Sequence, residues 1–280
     1  MSAAEPDIAR SLASGWKSLG GFRWVIKFGF CSLLVLAVAG CASVAPSAHP
    51  VPIPRAESGA PLTIASPIPK TGNAAFFQKH EAYLTRAKAG PIDVLFLGDS
   101  ITEGWKKHPE IWDRYFARYA AANFGIAGDQ TQHVIWRIEN GELEGISPKV
   151  VVLLIGTNNV RKSKAHHIAA ANTRIVDLIR AKLPQAKILL LAVFPRGPRN
   201  GPDKQPEPWR DFMVTINELN RRLAKLDDGK AVRFVDINPV FLAPDGTIPA
   251  EIMLDQLHLS AAGYQLWADA LAQPLAEMMR

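Results

Sequence analysis

The 280-residue chain has only two cysteines, Cys31 and Cys41, and both fall within its first 41 residues. The rest of the chain therefore cannot build a Cys-ligated metal site, a cysteine nucleophile or a disulfide framework. Runs of Lys and Arg interleaved with aromatics are also lacking. With the first 40 residues set aside, 28 basic side chains face 24 acidic ones, a net charge of +4. So mild an excess does not point to a nucleic-acid partner. The uncharged apolar stretch from Phe28 to Gly40 is too short for a permanent membrane span, since it would make about 20 Å of helix against a hydrocarbon core of about 30 Å. What the chain does have is ordinary globular material, 48% apolar and 21% charged. It has length for one or two domains, with a core that needs no staples.

The amino-terminal region reads as an address. Arg23 and Lys27 precede the apolar stretch, and small residues end it, the pattern of a secretory signal. Its end, Val38-Ala39-Gly40-Cys41, resembles the lipobox of bacterial lipoproteins. That resemblance implies cleavage before Cys41 and a diacylglycerol on its thiol. With an acylated amine, this supplies the two or more chains that stable anchoring requires. The leader before Arg23 is longer than that pattern has. The alternatives are an ordinary signal peptide with an incidental cysteine, or a short core helix. Cys31, inside the apolar stretch, acts as a small hydrophobe. From Ala42 to about Thr71 the chain has seven prolines and no helical or alternating period. This reads as an extended tether holding the folded part off the membrane, in preference to an arm packed on the domain. The expected division is a signal over 1–40, lipidated Cys41 and tether over 41–72, and a folded domain over 73–280. The expected location is exported and lipid-anchored to a bacterial membrane, on its periplasmic or cell-surface side.

Within the folded part, apolar runs alternate with helical patterns. Ile92 to Gly98, Ala121 to Phe124, Lys149 to Gly156, Lys187 to Val193 and Val232 to Asp236 read as five strands. Val134, Ile135 and Ile138 form one helical stripe, and Ile175, Leu178 and Ile179 another. Trp209 to Leu226 keeps a helical spacing through a longer element, and a last helix follows Ser260, a suitable N-cap. Repeated strand–helix units predict an α/β fold, a parallel sheet covered by helices on both faces. Ligands in such sheets bind beyond the carboxyl ends of strands.

Four segments at those places carry chemistry. Gly98-Asp99-Ser100 ends the first strand, where a serine projects its hydroxyl and backbone N–H towards a ligand. Gly125-Ile-Ala-Gly128 follows the second, where glycine permits positive φ and an inward N–H. Gly156-Thr-Asn158-Asn159 follows the third and offers a side-chain amide. Asp255 stands three residues before His258, close enough to bond Nδ1 and leave Nε2 as a base. Taken singly, each also reads as a turn, a cap or a surface ion pair. His166 and His167 adjoin at a solvated helix start and should point in different directions. Like His80 and His108, they do not suggest a metal site.

Together and in this order, the segments resemble the four blocks of the SGNH (GDSL) hydrolases, at Ser100, Gly128, Asn158 and His258. The resemblance is closer to the branch of platelet-activating factor acetylhydrolase alpha-type catalytic subunits. It extends over Asn123 to Asp129, His133 to Arg137, Asn140 to Glu144, Gly156 to Asn159, Phe194 to Gly197 and Leu257 to Leu259. Ala127 departs from it, where that branch often has a second glycine. The resemblance implies a three-layer sandwich around a five-stranded parallel sheet of flavodoxin-like arrangement. It implies a serine esterase with Ser100 as nucleophile, His258 as base and acid, and Asp255 orienting the histidine. The oxyanion would meet the N–H groups of Ser100 and Gly128 and the amide of Asn158. No metal or organic cofactor is required. The expected substrate is a short-chain, notably acetyl, ester of a small molecule or saccharide. The membrane is a partner through the lipid alone, and a homodimer is open because the related subunits associate as dimers. Two other readings are a non-catalytic saccharide- or lipid-binding module on the same fold, and an O-acyltransferase.

Overall fold

The computed structural model describes residues 64–280. The five expected strands form β1 (Val94–Gly98), β2 (Ala122–Gly125), β3 (Val150–Leu154), β4 (Lys187–Leu191) and β5 (Val232–Val235). They make one sheet in the order β2-β1-β3-β4-β5, with every neighbouring pair parallel. This is the flavodoxin-like order, whose reversal point lies between β1 and β3. β1 and β3 are buried along their whole length, which is why their sequences are unbroken apolar runs.

The helices are α1 (Ala74–Lys88), α2 (Ser100–Glu103), α3 (Pro109–Phe116), α4 (Thr131–Arg137), α5 (Ala165–Lys182), α6 (Trp209–Leu223) and α7 (Ala261–Met278). Alternating strand residues sort them into two layers. Leu95, Leu97, Val151, Leu153, Ile188 and Leu190 pack with apolar residues of α1, α4, α5 and α6. Val94, Phe96, Val150, Val152, Leu189 and Leu191 pack with those of α2, α3 and α7. Trp105 and Trp267 lie in the second layer, ring centroids 5.0 Å apart. The result is a three-layer α/β sandwich. Among the described residues no helix is long and apolar enough to cross a membrane.

Two features differ from the sequence reading or add to it. Helix α1 has no strong apolar stripe. It forms because Asn73 caps it, accepting the Phe76 N–H at 3.0 Å, and because Phe76 and Tyr83 reach the core. The expected signal, Cys41 and the tether as far as residue 63 lie outside the described residues. The end of the tether segment, residues 64–72, rests on the domain. Thr131 Oγ1 donates to the Ile64 carbonyl at 2.9 Å, and the Ile68 N–H donates to the Gln132 carbonyl at 3.2 Å.

Candidate active site

β1 ends at the reversal of strand order, and Ser100 opens α2 there. Asp99 caps this helix, accepting the Ile101 N–H at 3.0 Å, and Ser100, partly buried, is its first residue. The turn needs glycine before it. A Cβ on Gly98 would lie 2.2 Å from Thr102 Oγ1 and 2.4 Å from the Leu154 carbonyl oxygen. The Ser100 N–H, first in its helix, has no acceptor within it.

His258 reaches Ser100 from the loop before α7. Leu257 and Leu259 on either side are buried in the second core layer, which anchors the loop and leaves His258 half-exposed between them. Its Nε2 lies 3.0 Å from Ser100 Oγ, and its Nδ1 lies 2.7 Å from Asp255 Oδ2. The other Asp255 oxygen accepts the N–H groups of Leu257 at 3.1 Å and His258 at 2.7 Å. One carboxylate thus holds both the ring and the backbone of the same histidine. Partial burial of Asp255 opposes its ionisation, but the bonds and charge of His258, with help from Arg199, outweigh it. The carboxyl sits well below the usual carboxylate range. Helix α7 is tied to α2 by Tyr264, whose hydroxyl donates to the Ile101 carbonyl at 2.6 Å.

The other two loops converge through Asp129. Asn158 Nδ2 donates to the Asp129 carbonyl at 2.8 Å, and Gln130 Nε2 donates to the Asn158 carbonyl at 2.8 Å. An amide nitrogen has two hydrogens, so Asn158 keeps one for a ligand. Gly128 precedes Asp129 with φ +71°, in the left-handed region.

Below these loops lies a buried ionic network. Asp129 is fully buried between Lys70, 2.7 Å from its Oδ1, and Arg137, whose Nε is 2.9 Å from Oδ2. Arg137 also pairs with buried Glu142 and donates to the carbonyls of Phe124 at 3.0 Å and Gly98 at 3.2 Å. It therefore joins the carboxyl ends of β1 and β2. Such a network is costly to bury and worthwhile only when its members satisfy one another. On the far side of the site, buried Arg196 pairs with Glu207 and donates to the Thr157 carbonyl at 3.3 Å. Arg199 lies 3.5 Å from Asp255. Burial pushes the Asp99 carboxyl up to about 7, against the opposing bond from Ile101. Burial lowers His133 to about 4, and its neutral Nδ1 accepts the Gln130 N–H at 2.9 Å.

Of the residues singled out from sequence, Ser100, His258 and Asp255 are in direct contact, and Gly128 and Asn158 meet through Asp129. Cys41 lies outside the described residues. His166 and His167 are exposed at the start of α5, yet their ring centroids are 4.0 Å apart, so the rings do not diverge as expected. Sequence reasoning assigned no role to Lys70, Asp129, Arg137, Glu142 or Arg199, although Asp129, Arg137 and Glu142 fall in the segments that carry the resemblance. Arg137 carried a readable signal, because it falls on the same helical face as Val134 and Ile138. A charge on an apolar face calls for a buried partner.

Comparison with known proteins agrees with this geometry. The family described as "GDSL-like Lipase/Acylhydrolase family" matches residues 96–266. The chain is 38% identical over 209 residues to the platelet-activating factor acetylhydrolase IB subunit alpha2 of Rattus norvegicus, covering 74% of this chain and 85% of that one. It is 38% identical over 208 residues to the alpha1 subunit of Homo sapiens, covering 74% and 86%. Among solved structures, a GDSL-like lipase from Bacteroides thetaiotaomicron has the same fold, with a TM-score of 0.59 at 22% identity, over 72% of this chain and 98% of that one. With the serine, the histidine and the carboxylate in one hydrogen-bonded row at the end of β1, the chain belongs to the GDSL-like lipase/acylhydrolase family and is a carboxylic ester hydrolase.

Proposed function

We propose that the chain removes short acyl groups, acetyl above all, from esters through an acyl-enzyme on Ser100, as an exported enzyme held to a bacterial membrane through Cys41. The observation that carries the chemistry is the 3.0 Å contact between Ser100 Oγ and His258 Nε2, with Asp255 behind the ring. A serine hydroxyl is a weak nucleophile until a neighbouring base takes its proton. As Ser100 Oγ attacks the carbonyl carbon, its proton passes to His258 Nε2. The ring becomes an imidazolium that Asp255 stabilises. The negative oxygen of the tetrahedral intermediate meets the N–H groups of Ser100 and Gly128 and the free amide hydrogen of Asn158. His258 returns the proton to the departing alcohol oxygen, leaving the acyl group on Ser100. Water, deprotonated by His258, attacks that ester, and Ser100 regains its proton as the acid leaves.

Support for acetyl comes from the relatives, which are named acetylhydrolases. Support for export and anchoring comes from the basic–apolar–small pattern ending at Cys41. An enzyme so placed meets polysaccharides, which favours an acetylated saccharide as the alcohol side. A panel of acetyl, butyryl and octanoyl p-nitrophenyl esters with acetylated xylan, run on the wild type and Ser100→Ala, tests the reading. Acetyl esters should be turned over best and Ser100→Ala should be inactive. An octanoyl preference would overturn the short-acyl reading, and an active Ser100→Ala variant the serine mechanism.

A further inference from the structure

We propose that Lys70, carried by the segment that leads from the tether into the domain, is a positioning residue for the oxyanion hole; this rests on the serine esterase reading above. Residues Ile126 to Asp129 form a turn closed by the Asp129 N–H donating to the Ile126 carbonyl at 3.1 Å. Gly128 has φ +71°, whereas Ala127 is not among the positive-φ residues, which makes this a type II turn with Gly128 in its third position. The central peptide of the turn is the one joining Ala127 to Gly128. Its N–H is the Gly128 donor that the proposed mechanism assigns to the oxyanion.

Lys70 Nζ donates to the carbonyl of that same peptide, Ala127 C=O, at 2.7 Å. A trans peptide is planar with its C=O and N–H pointing opposite ways, so a bond that holds the oxygen also aims the hydrogen. A cation on the oxygen further polarises the amide and strengthens its N–H as a donor. The same ammonium lies 2.7 Å from Asp129 Oδ1, and the Asp129 carbonyl accepts the amide of Asn158 at 2.8 Å. Both loop donors of the hole are therefore referenced to one charge. That charge also balances the buried Asp129 carboxylate close to where negative charge develops in the reaction. Lys70 is itself held in place, since its side chain is 12% exposed and its ammonium lies 5.5 Å from the centre of the Phe76 ring. On the other flank, the Ala127 N–H donates to Glu103 Oε2 at 2.8 Å. The turn is clamped from both ends, and among the described residues only Lys70 bonds the peptide that presents Gly128.

The test uses the full-length chain with p-nitrophenyl acetate and a methyl trifluoromethyl ketone, whose serine adduct places an oxyanion in the hole. Lys70→Met, Lys70→Gln, Lys70→Arg and Ser100→Ala are compared with the wild type. Lys70→Met should lower kcat about 10- to 100-fold with KM within about twofold, less than deleting a donor outright. Its affinity for the ketone should fall by a similar factor, and Lys70→Arg should recover most of both. If Lys70→Met does not fold, Lys70→Gln, which keeps a donor without the charge, carries the comparison and should fall between Met and Arg. Wild-type kcat in the folded neutral variant, or a lower kcat with unchanged ketone affinity, would overturn the role of Lys70. Full activity in Ser100→Ala would instead remove the serine reading, and Lys70's role with it. An inactive Ser100→Ala beside a fully active Lys70→Met would sink the Lys70 inference alone.

Discussion

Asn158 spends one amide hydrogen on the Asp129 carbonyl and has a second with no partner among the described residues. Replacing it with alanine removes one of the proposed oxyanion donors, so Asn158→Ala should lower kcat about 10²–10³-fold, with steady-state kinetics as the check. Asp99, one residue before Ser100, makes a different kind of prediction. Its carboxyl titrates at about 7 in the folded protein because burial disfavours its charge, against 3.8 for the free group. The folded state therefore holds a proton there that the unfolded chain gives up. The stability tied to that proton is fully present below 3.8 and is lost as pH rises through about 7. Asp99→Asn keeps an acceptor for the Ile101 N–H but has no charge to bury. Its melting temperature relative to the wild type should be higher at pH 8 than at pH 5, and an equal difference at both would mean the carboxyl does not feel its burial. At this scale the sequence could single out Ser100, His258, Asp255, Gly128 and Asn158, because each stands at a strand end or beside its partner in the chain. Lys70 and Arg199 were not legible. Lys70 lies 59 positions from Asp129, and Arg199 lies 56 from Asp255. Nothing local to either marks its contact.

Among the elements, the β1–α2 turn does most to place Ser100, and it depends on Gly98. A methyl group there would meet Thr102 Oγ1 at 2.2 Å and the Leu154 carbonyl oxygen at 2.4 Å. Thr102 can be shortened, but Leu154 contributes backbone from the neighbouring strand. Gly98→Ala should therefore destabilise the fold by at least about 3 kcal/mol, at the upper end of overpacking costs. Adding Thr102→Ala should restore only part of that loss, as read by urea unfolding. The strands were legible because a parallel strand covered on both faces must be apolar at every position. β5, at the sheet edge and only partly buried after Val232, still showed because Val, Phe and Val break up its charges. Helix α1 escaped notice for the opposite reason. It touches the core through few side chains, His80 interrupts its buried face, and Phe77 and Leu84 fall off that face, so its stability comes from a cap and from neighbours that periodicity does not reveal.

For the whole molecule, the proposed amino-terminal anchor and the folded domain can be tested together. If Cys41 carries the lipid, Cys41→Ser should move the protein from the membrane pellet to the supernatant on cell fractionation, with kcat on a soluble ester unchanged. Variant protein that stays in the pellet would argue against lipidation at that residue. The segment between is not merely a spacer, since residues 64–72 lie against α4 and the turn before it. The sequence by itself determined the parallel α/β sandwich, through runs of apolar residues whose period is local, and the order along the chain of the four segments that carry the family resemblance. Only the tertiary structure decided which charges lie beneath those segments. The Lys70–Asp129–Arg137–Glu142 chain joins side chains from separate elements, and the free energy that holds ions in a dry interior depends on distances that exist only after the chain has closed on itself.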